Sequence, residues 1–283
     1  GSAMSSRHIL AVVAGFLVVA LIGVIAITWR PWQWWHPDRR WGPWMDKRDQ
    51  TFVASDGTSS QYHVFAAGLS PETVTGIIFQ FHGDGAYEFT HPDSSYSLGG
   101  RNGIVEAGRS RGYVVVAVLS PDERGEMWWE NGEANAAYAN ELVTSLTQEY
   151  APGKDNTWLV GYSGGSQFIT QFFLPLYSST LRGGGAIMFG GGGRPDPVDA
   201  RTFADSLRAH FPMFWYTGAA DDGTLSDDGY DALGDVNHGA KAGEAYYRQA
   251  GFVTGHFYPV GVTHDLSQRF GDVVADQLDQ HPR

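Results

Sequence analysis

Cysteine is absent from the 283 residues. That removes any disulfide framework, any thiolate metal site and any cysteine nucleophile, and it leaves the compartment open. Positive charge is scarce too: 19 lysines and arginines stand against 31 aspartates and glutamates, a formal net charge of −12. Binding a phosphate backbone needs a basic face, and none is visible, so no nucleic-acid partner is expected. The acidity reads as a solubility feature. Low-complexity sequence is missing apart from a glycine run at 190–193, and no internal repeat is visible. With 42% hydrophobic and 14% aromatic residues, the chain is built to bury a core.

The N-terminus separates from the rest by composition. Gly1-Ser2-Ala3 ahead of Met4 reads as a tag remnant, and 1–8 as that remnant plus a short tail. From Ile9 to Thr28 the residues are apolar or small and uncharged, the length that spans a hydrocarbon core. A transmembrane anchor over 9–28 is therefore expected. A signal peptide cleaved near Val24-Ile25-Ala26 is the competing reading, disfavoured because the apolar run is long for a signal.

Residues 29–50 follow as a juxtamembrane linker. Trp29, Trp32, Trp34, Trp35, Trp41 and Trp44 alternate with Pro31, Pro37 and Pro43. Indole rings favour the membrane–water boundary, and the prolines stiffen the segment against helix. The alternative is that some of these tryptophans pack on the domain that follows. Arg7 on one flank against Arg30, Arg39 and Arg40 on the other would keep the C-terminal part cytoplasmic by the positive-inside tendency. A short tail before a large domain argues instead for a signal anchor and an extracytoplasmic domain.

From 51 to 283 apolar, β-rich runs alternate with helical stretches. The runs are Gly76–Phe81, Gly112–Leu119, Asn156–Val160, Ala186–Phe189, Met213–Tyr216 and Phe257–Val260. Helices are expected near 102–110, 133–150, 164–176, 198–210, 238–250 and 265–280. Strands that are apolar along their whole length belong to a parallel sheet covered on both faces, and the alternation predicts one α/β domain.

Within that frame one turn stands out. Trp158-Leu159-Val160 is strand-like, Gly161-Tyr162-Ser163-Gly164-Gly165 is a tight turn, and Gln167 to Phe172 begins a helix. A serine hydroxyl is a weak nucleophile without a base beside it. A strand–turn–helix elbow lifts it clear of the sheet, and flanking glycines permit the cramped backbone. Ser163 is the expected nucleophile.

Its partners must come from later loops at the carboxyl edge of the sheet. His264, in the loop after the last expected strand, is the expected base, with His256 and His238 as rivals. Asp221, just after Met213–Tyr216, is the expected acid, with Asp222, Asp196 and Asp199 as rivals. The oxyanion hole is assigned to the backbone N–H groups of Gly164 and of Asp84 in Phe81-His82-Gly83-Asp84-Gly85, with Gly83 and Gly85 as alternatives.

His82, Trp128 and Trp129 are assigned to substrate binding, against the alternative that the two tryptophans cap the core. Phe89, His91 and Tyr96 raise the same question. The acidic stretch 221–229 carries carboxylates of the kind calcium prefers, but it lacks EF-hand spacing and reads as a solvated loop. Neither a metal nor a cofactor is required.

Taken together, the His-Gly loop, the Gly-x-Ser-x-Gly elbow, the Gly-x-x-Asp after a strand and the late histidine resemble the α/β-hydrolase superfamily. The resemblance covers about residue 51 to the C-terminus. Within the superfamily, His82-Gly83 and Ser120-Pro121-Asp122 ahead of an aromatic loop look most like the group of feruloyl esterases, acetyl xylan esterases and polyhydroxybutyrate depolymerases. Many of that group carry a cysteine where this chain has Asp84, so their substrates do not transfer.

The resemblance implies an α/β-hydrolase fold, a mostly parallel sheet with helices on both faces, here preceded by one transmembrane helix. It also implies a serine hydrolase that cleaves carboxylic esters through an acyl-enzyme. A membrane anchor would point to acylated glycans or glycolipids of the envelope as substrates. An acyltransferase using the same triad, and a binding protein that keeps the fold without catalysis, are the alternatives. The oligomeric state is left open.

Overall fold

The computed structural model describes residues 43–283 except 123, 125, 196–202 and 235–237. The expected anchor at 9–28, most of the linker, Asp196 and Asp199 lie outside the described residues. Among those described, no helix is long and apolar enough to cross a membrane.

The sheet has eight strands: β1 (Lys47–Val53), β2 (Ser59–Phe65), β3 (Gly76–Phe81), β4 (Tyr113–Val118), β5 (Thr157–Tyr162), β6 (Gly184–Phe189), β7 (Met213–Tyr216) and β8 (Thr254–Phe257). Their order is β1-β2-β4-β3-β5-β6-β7-β8. The β1–β2 and β2–β4 pairings are antiparallel, and the other five are parallel.

The helices are α1 (Tyr87–Thr90), α2 (Ile104–Arg109), α3 (Gly132–Tyr150), α4 (Gly164–Phe168), α5 (Leu174–Tyr177), α6 (Asp205–Ala209), α7 (Ala240–Gln249) and α8 (Phe270–Gln280). A π-helical turn, Ile169–Phe173, joins α4 to α5.

Burial explains the strands. β3, β4 and β6 are buried along their full length, which is why they read as unbroken apolar runs. Successive side chains nevertheless point to opposite faces. Val114, Val116 and Val118 pack on one core with Leu142, Leu146 and Phe168, while Val115 and Ala117 pack on the other with Ile104, Phe270 and Val274. In α3, Ala136, Ala139, Leu142, Val143 and Leu146 recur at helical spacing and are all buried, so this helix closes the first core through one stripe.

The structure moves three expected boundaries. The domain begins before 51, because β1 starts at Lys47 within the stretch assigned to the linker. Trp44 is part of it as well. The indole is 3% exposed and meets Tyr150 edge-on at 5.1 Å, so this tryptophan belongs to the core rather than to a membrane interface. Asp46 Oδ1 fastens the same segment by accepting the Ala66 and Ala67 N–H groups and the Arg109 guanidinium.

The last strand lies earlier than the expected 257–260. β8 spans Thr254–Phe257 and pairs His256 with Trp215. Pro259 has no N–H to extend that ladder, and its carbonyl accepts instead from Ala219 and Val262 N–H. Similarly, α8 begins at Phe270 rather than 265.

Removing the Trp44 ring leaves a cavity at the base of β1. Trp44→Ala is expected to destabilise the domain by about 3–5 kcal/mol, read as a lowered midpoint in chemical denaturation.

Candidate active site

The carboxyl ends of β3, β5, β7 and β8 open at one edge of the sheet, and each contributes a loop to the site. β5 runs into the elbow, where Ser163 is held at φ 52°, ψ −115°. Only a crowded turn maintains a non-glycine residue in that region. The crowding is visible at Gly165: a side chain there would strike the Phe81 carbonyl oxygen at the end of β3. Ser163 N–H donates to Phe189 O at 2.8 Å, tying the turn to β6 as well. α4 starts at Gly164, so the hydroxyl sits at a helix N-terminus.

His264 meets the serine from the loop after β8. Its Nδ1 lies 2.6 Å from Asp221 Oδ2 and its Nε2 lies 2.9 Å from Ser163 Oγ. A carboxylate can only accept, so Nδ1 carries the proton and Nε2 offers its lone pair to the serine O–H. Asp221 is 4% exposed.

The acid and base loops are fastened to each other by Ala219 N–H to Pro259 O and Ala220 N–H to Val262 O, both 2.9 Å. Tyr162, the variable residue of the elbow, stacks on the imidazole and donates its hydroxyl to His264 O at 2.6 Å. Gly190, at φ 65°, passes beneath the ring, where a Cβ would come within 3.2 Å of His264 Cε1.

Of the described rivals, Asp222 and His256 are engaged elsewhere. Asp222 is exposed and accepts from Thr224 N–H and Oγ1. His256 pairs with Glu244 at 2.6 Å on the outer strand. His238 lies on the cavity wall beside Gln167 and Gln171.

The oxyanion loop can be assigned by accounting for its N–H groups. Gly83 N–H donates to Glu88 Oε2 at 2.8 Å, and Gly85 N–H to Glu126 O at 3.0 Å. Among the described residues, the N–H groups of Asp84 and Gly164 have no partner. Both residues line the cavity with Ser163, from two different elements, and Asp84 Oδ1 fills the space that a side chain on Gly164 would need. Unpaired backbone donors on the wall of a nucleophile's cavity are the kind of group that can stabilise a tetrahedral oxyanion.

His82 is not on the cavity wall, contrary to expectation. It is fully buried: Ser120 N–H donates to Nε2, and Nδ1–H donates to Gly83 O. Burial pushes its pKa down to about 4, so it is a neutral brace between the loop and β4. Trp128 is also displaced from its expected role. It is 0% exposed and packs against Phe81 and Phe168, because the segment before α3 turns inward at this residue.

Trp129 points the other way and lines the cavity, its indole N–H donating to both Asp84 oxygens at 3.0 and 3.1 Å. Phe89 stacks on His63, His91 on Tyr87, and Tyr96 packs between Tyr162 and Phe270. None of these three lines the cavity.

The cavity over Ser163 measures about 580 Å³. Sequence reasoning did not place Tyr230, His238, Gln167 or Asp228 on its walls: Tyr230 lies in a segment with no motif, and the others were read as a rival base, the start of the helix after the elbow and part of a solvated acidic loop. It missed Glu88 too. This carboxyl is 3% exposed and accepts both Gly83 N–H and Gln80 Nε2, while Gln80 Oε1 is buried without a partner. Burial raises its pKa to about 7. Its signal in the sequence was only an acidic residue soon after the His-Gly loop.

Fold and site together define an α/β-hydrolase fold carrying a Ser–His–Asp relay. Solved structures with the same fold include a carboxylesterase from Bacillus cereus, at 15% identity and a TM-score of 0.54, covering 78% of this chain and 92% of that one. A carboxylesterase from Mesorhizobium loti matches at 16% identity and a TM-score of 0.55, with 81% and 98% covered. Esterase PE8 matches at 14% and 0.50, with 83% and 99% covered. At these identities the likeness is one of fold. No family model matches the chain. No curated protein sequence matches it either.

Glu88 generates a pH prediction. A carboxyl that titrates at about 7 when folded and near 4.5 when free holds more protons in the folded state between those values. Stability therefore falls as pH rises across that window. Glu88→Gln keeps both hydrogen-bond partners without the charge, and is expected to flatten that slope in denaturation measured across the same window.

Proposed function

We propose that this protein is a membrane-anchored serine hydrolase that cleaves carboxylic esters through an acyl-enzyme. The observation that carries the reading is the continuous relay Asp221–His264–Ser163, ending beside two unpaired backbone donors. As Ser163 Oγ attacks the ester carbonyl, its proton passes to His264 Nε2. The carbonyl oxygen becomes an oxyanion and accepts from Gly164 and Asp84 N–H. Asp221 stabilises the imidazolium and holds its tautomer.

Collapse of the intermediate breaks the carbon–oxygen bond to the alcohol, and His264 returns the proton to that oxygen. Water then repeats the sequence on the acyl-enzyme, giving its proton to His264 and releasing the acid with Ser163 restored. Esterases among the solved structures of this fold support the choice of an ester over other acyl substrates.

The apolar run 9–28 supports anchoring, and anchoring suggests an acylated glycan or glycolipid of the envelope as substrate. An extracytoplasmic domain follows from reading 9–28 as a signal anchor, against the arginine count on its flanks.

A fluorophosphonate probe should label wild type at Ser163 and leave Ser163→Ala unlabelled, and short-chain p-nitrophenyl ester turnover should disappear with it. Ester turnover that survives Ser163→Ala would sink the mechanism. Asp221→Asn should lower kcat by about three to four orders of magnitude, because the wrong imidazole tautomer is then favoured. For orientation, external protease should digest the catalytic domain in cells with an intact inner membrane; full protection would place it in the cytoplasm.

A further inference from the structure

The Asp84 side chain is an electrostatic problem for the oxyanion that its own backbone serves. Its Oδ1 fills the space that a side chain on Gly164 would need, at the residue that follows the nucleophile and carries the second oxyanion donor. A carboxylate there repels the negative charge that develops on the substrate carbonyl. Burial is the main cause raising its pKa from the ordinary value; the Trp129 indole N–H and His264 oppose that shift, and the charges of Glu130 and, less, Asp228 add to it. No lysine or arginine among the described residues lines the cavity to offset the charge. The histidines there are His264, whose Nδ1 proton serves Asp221, and His238.

The remaining wall suits a cation. The rings of Trp129 and Tyr230 line the same cavity as the Asp84 and Asp228 carboxylates, and a positive group gains from both aromatic faces and carboxylates. Asp84 is also held in place rather than free to turn away, since the Trp129 indole N–H donates to both its oxygens.

We propose that Asp84 is a specificity-determining residue that selects esters bearing an ammonium group, whose charge is placed between Asp84 and Asp228 while the carbonyl lies over Ser163. This deepens the hydrolase reading and rests on it. The ammonium completes the site: it neutralises the carboxylate that would otherwise oppose the oxyanion, so the cation contributes more in the transition state than in the ground state. The same constellation disfavours anionic esters.

Two isosteric pairs test the proposal, one for each side of the ester. Acetylcholine is compared with the ester in which a quaternary carbon replaces its nitrogen, and ethyl aminobutyrate with ethyl pentanoate. In wild type at low ionic strength, kcat/KM for at least one cationic member should exceed that of its neutral partner, with the preference shrinking as salt screens the charges. Asp84→Asn keeps the backbone N–H and an acceptor for Trp129 but removes the charge. It should cut that cationic-to-neutral ratio about ten-fold, equivalent to about 1.4 kcal/mol, while turnover of the neutral ester rises. Asp228→Asn should lower the ratio less, because that carboxylate is exposed.

Labelling of Ser163 by a fluorophosphonate with both ratios at or below one in wild type overturns the proposal and leaves the hydrolase reading standing. A preference that Asp84→Asn leaves unchanged overturns it as well. If neither labelling nor turnover of any ester occurs, the hydrolase reading fails and the proposal falls with it.

Discussion

The closeness of β5 to β3 at their carboxyl ends is the constraint on which the site depends. Gly161 and Gly165 are bare because backbone fills the space that a side chain would need: Gly165 and Ser166 beside the first, Phe81 and His82 oxygens beside the second. That crowding holds Ser163 at positive φ. The strained backbone persists because the surrounding sheet over-determines it. With the turn so placed, the hydroxyl meets His264 from the loop after β8, itself held by Asp221 from the loop after β7, and Gly164 lies against Asp84 of the loop after β3. Loosening the elbow would uncouple nucleophile, base and oxyanion donors together.

The loops around the elbow are braced from behind by groups that do no chemistry. His82, neutral because it is buried, links the oxyanion loop to Ser120 at the end of β4. Glu88 takes the Gly83 N–H, and Glu126 O takes that of Gly85. These bonds consume the neighbouring donors and leave the Asp84 N–H available. Asp122 closes the next loop by accepting Glu126 and Met127 N–H, so that Trp128 turns into the core and Trp129 faces the cavity. Positioning is thus distributed over buried polar groups whose hydrogen bonds are strong because water is excluded.

Much of the fold was legible in the sequence because both faces of its central strands are covered. Gly76–Phe81 and Met213–Tyr216 emerge with the expected bounds, since long apolar runs leave few alternatives. The first two strands were not recognised. Lys47–Val53 and Ser59–Phe65 are polar and partly exposed along much of their length, so hydrophobic content could not announce them. Trp44 was ambiguous for a related reason: an indole suits a bilayer interface and a protein core equally, and composition cannot choose. The end of the sheet was misplaced by a few residues because Phe257–Val260 is apolar, whereas Pro259 ends the ladder.

The sequence by itself determined the order of the chemistry: a serine at a glycine-flanked turn after a strand, an acid after a later strand and a histidine near the end. Local backbone sterics and strand alternation suffice for that much. Tertiary structure alone decided between Asp221 and Asp222, which are adjacent in the chain but differ in whether the side chain turns toward His264 or toward Thr224. It also decided which N–H of the oxyanion loop is unpaired, that His82 and Trp128 are buried, and that the Asp84 carboxylate lies against Gly164. These are questions of direction and occupancy between segments far apart in sequence. No local pattern encodes them, because each answer depends on which distant partner reaches the group first.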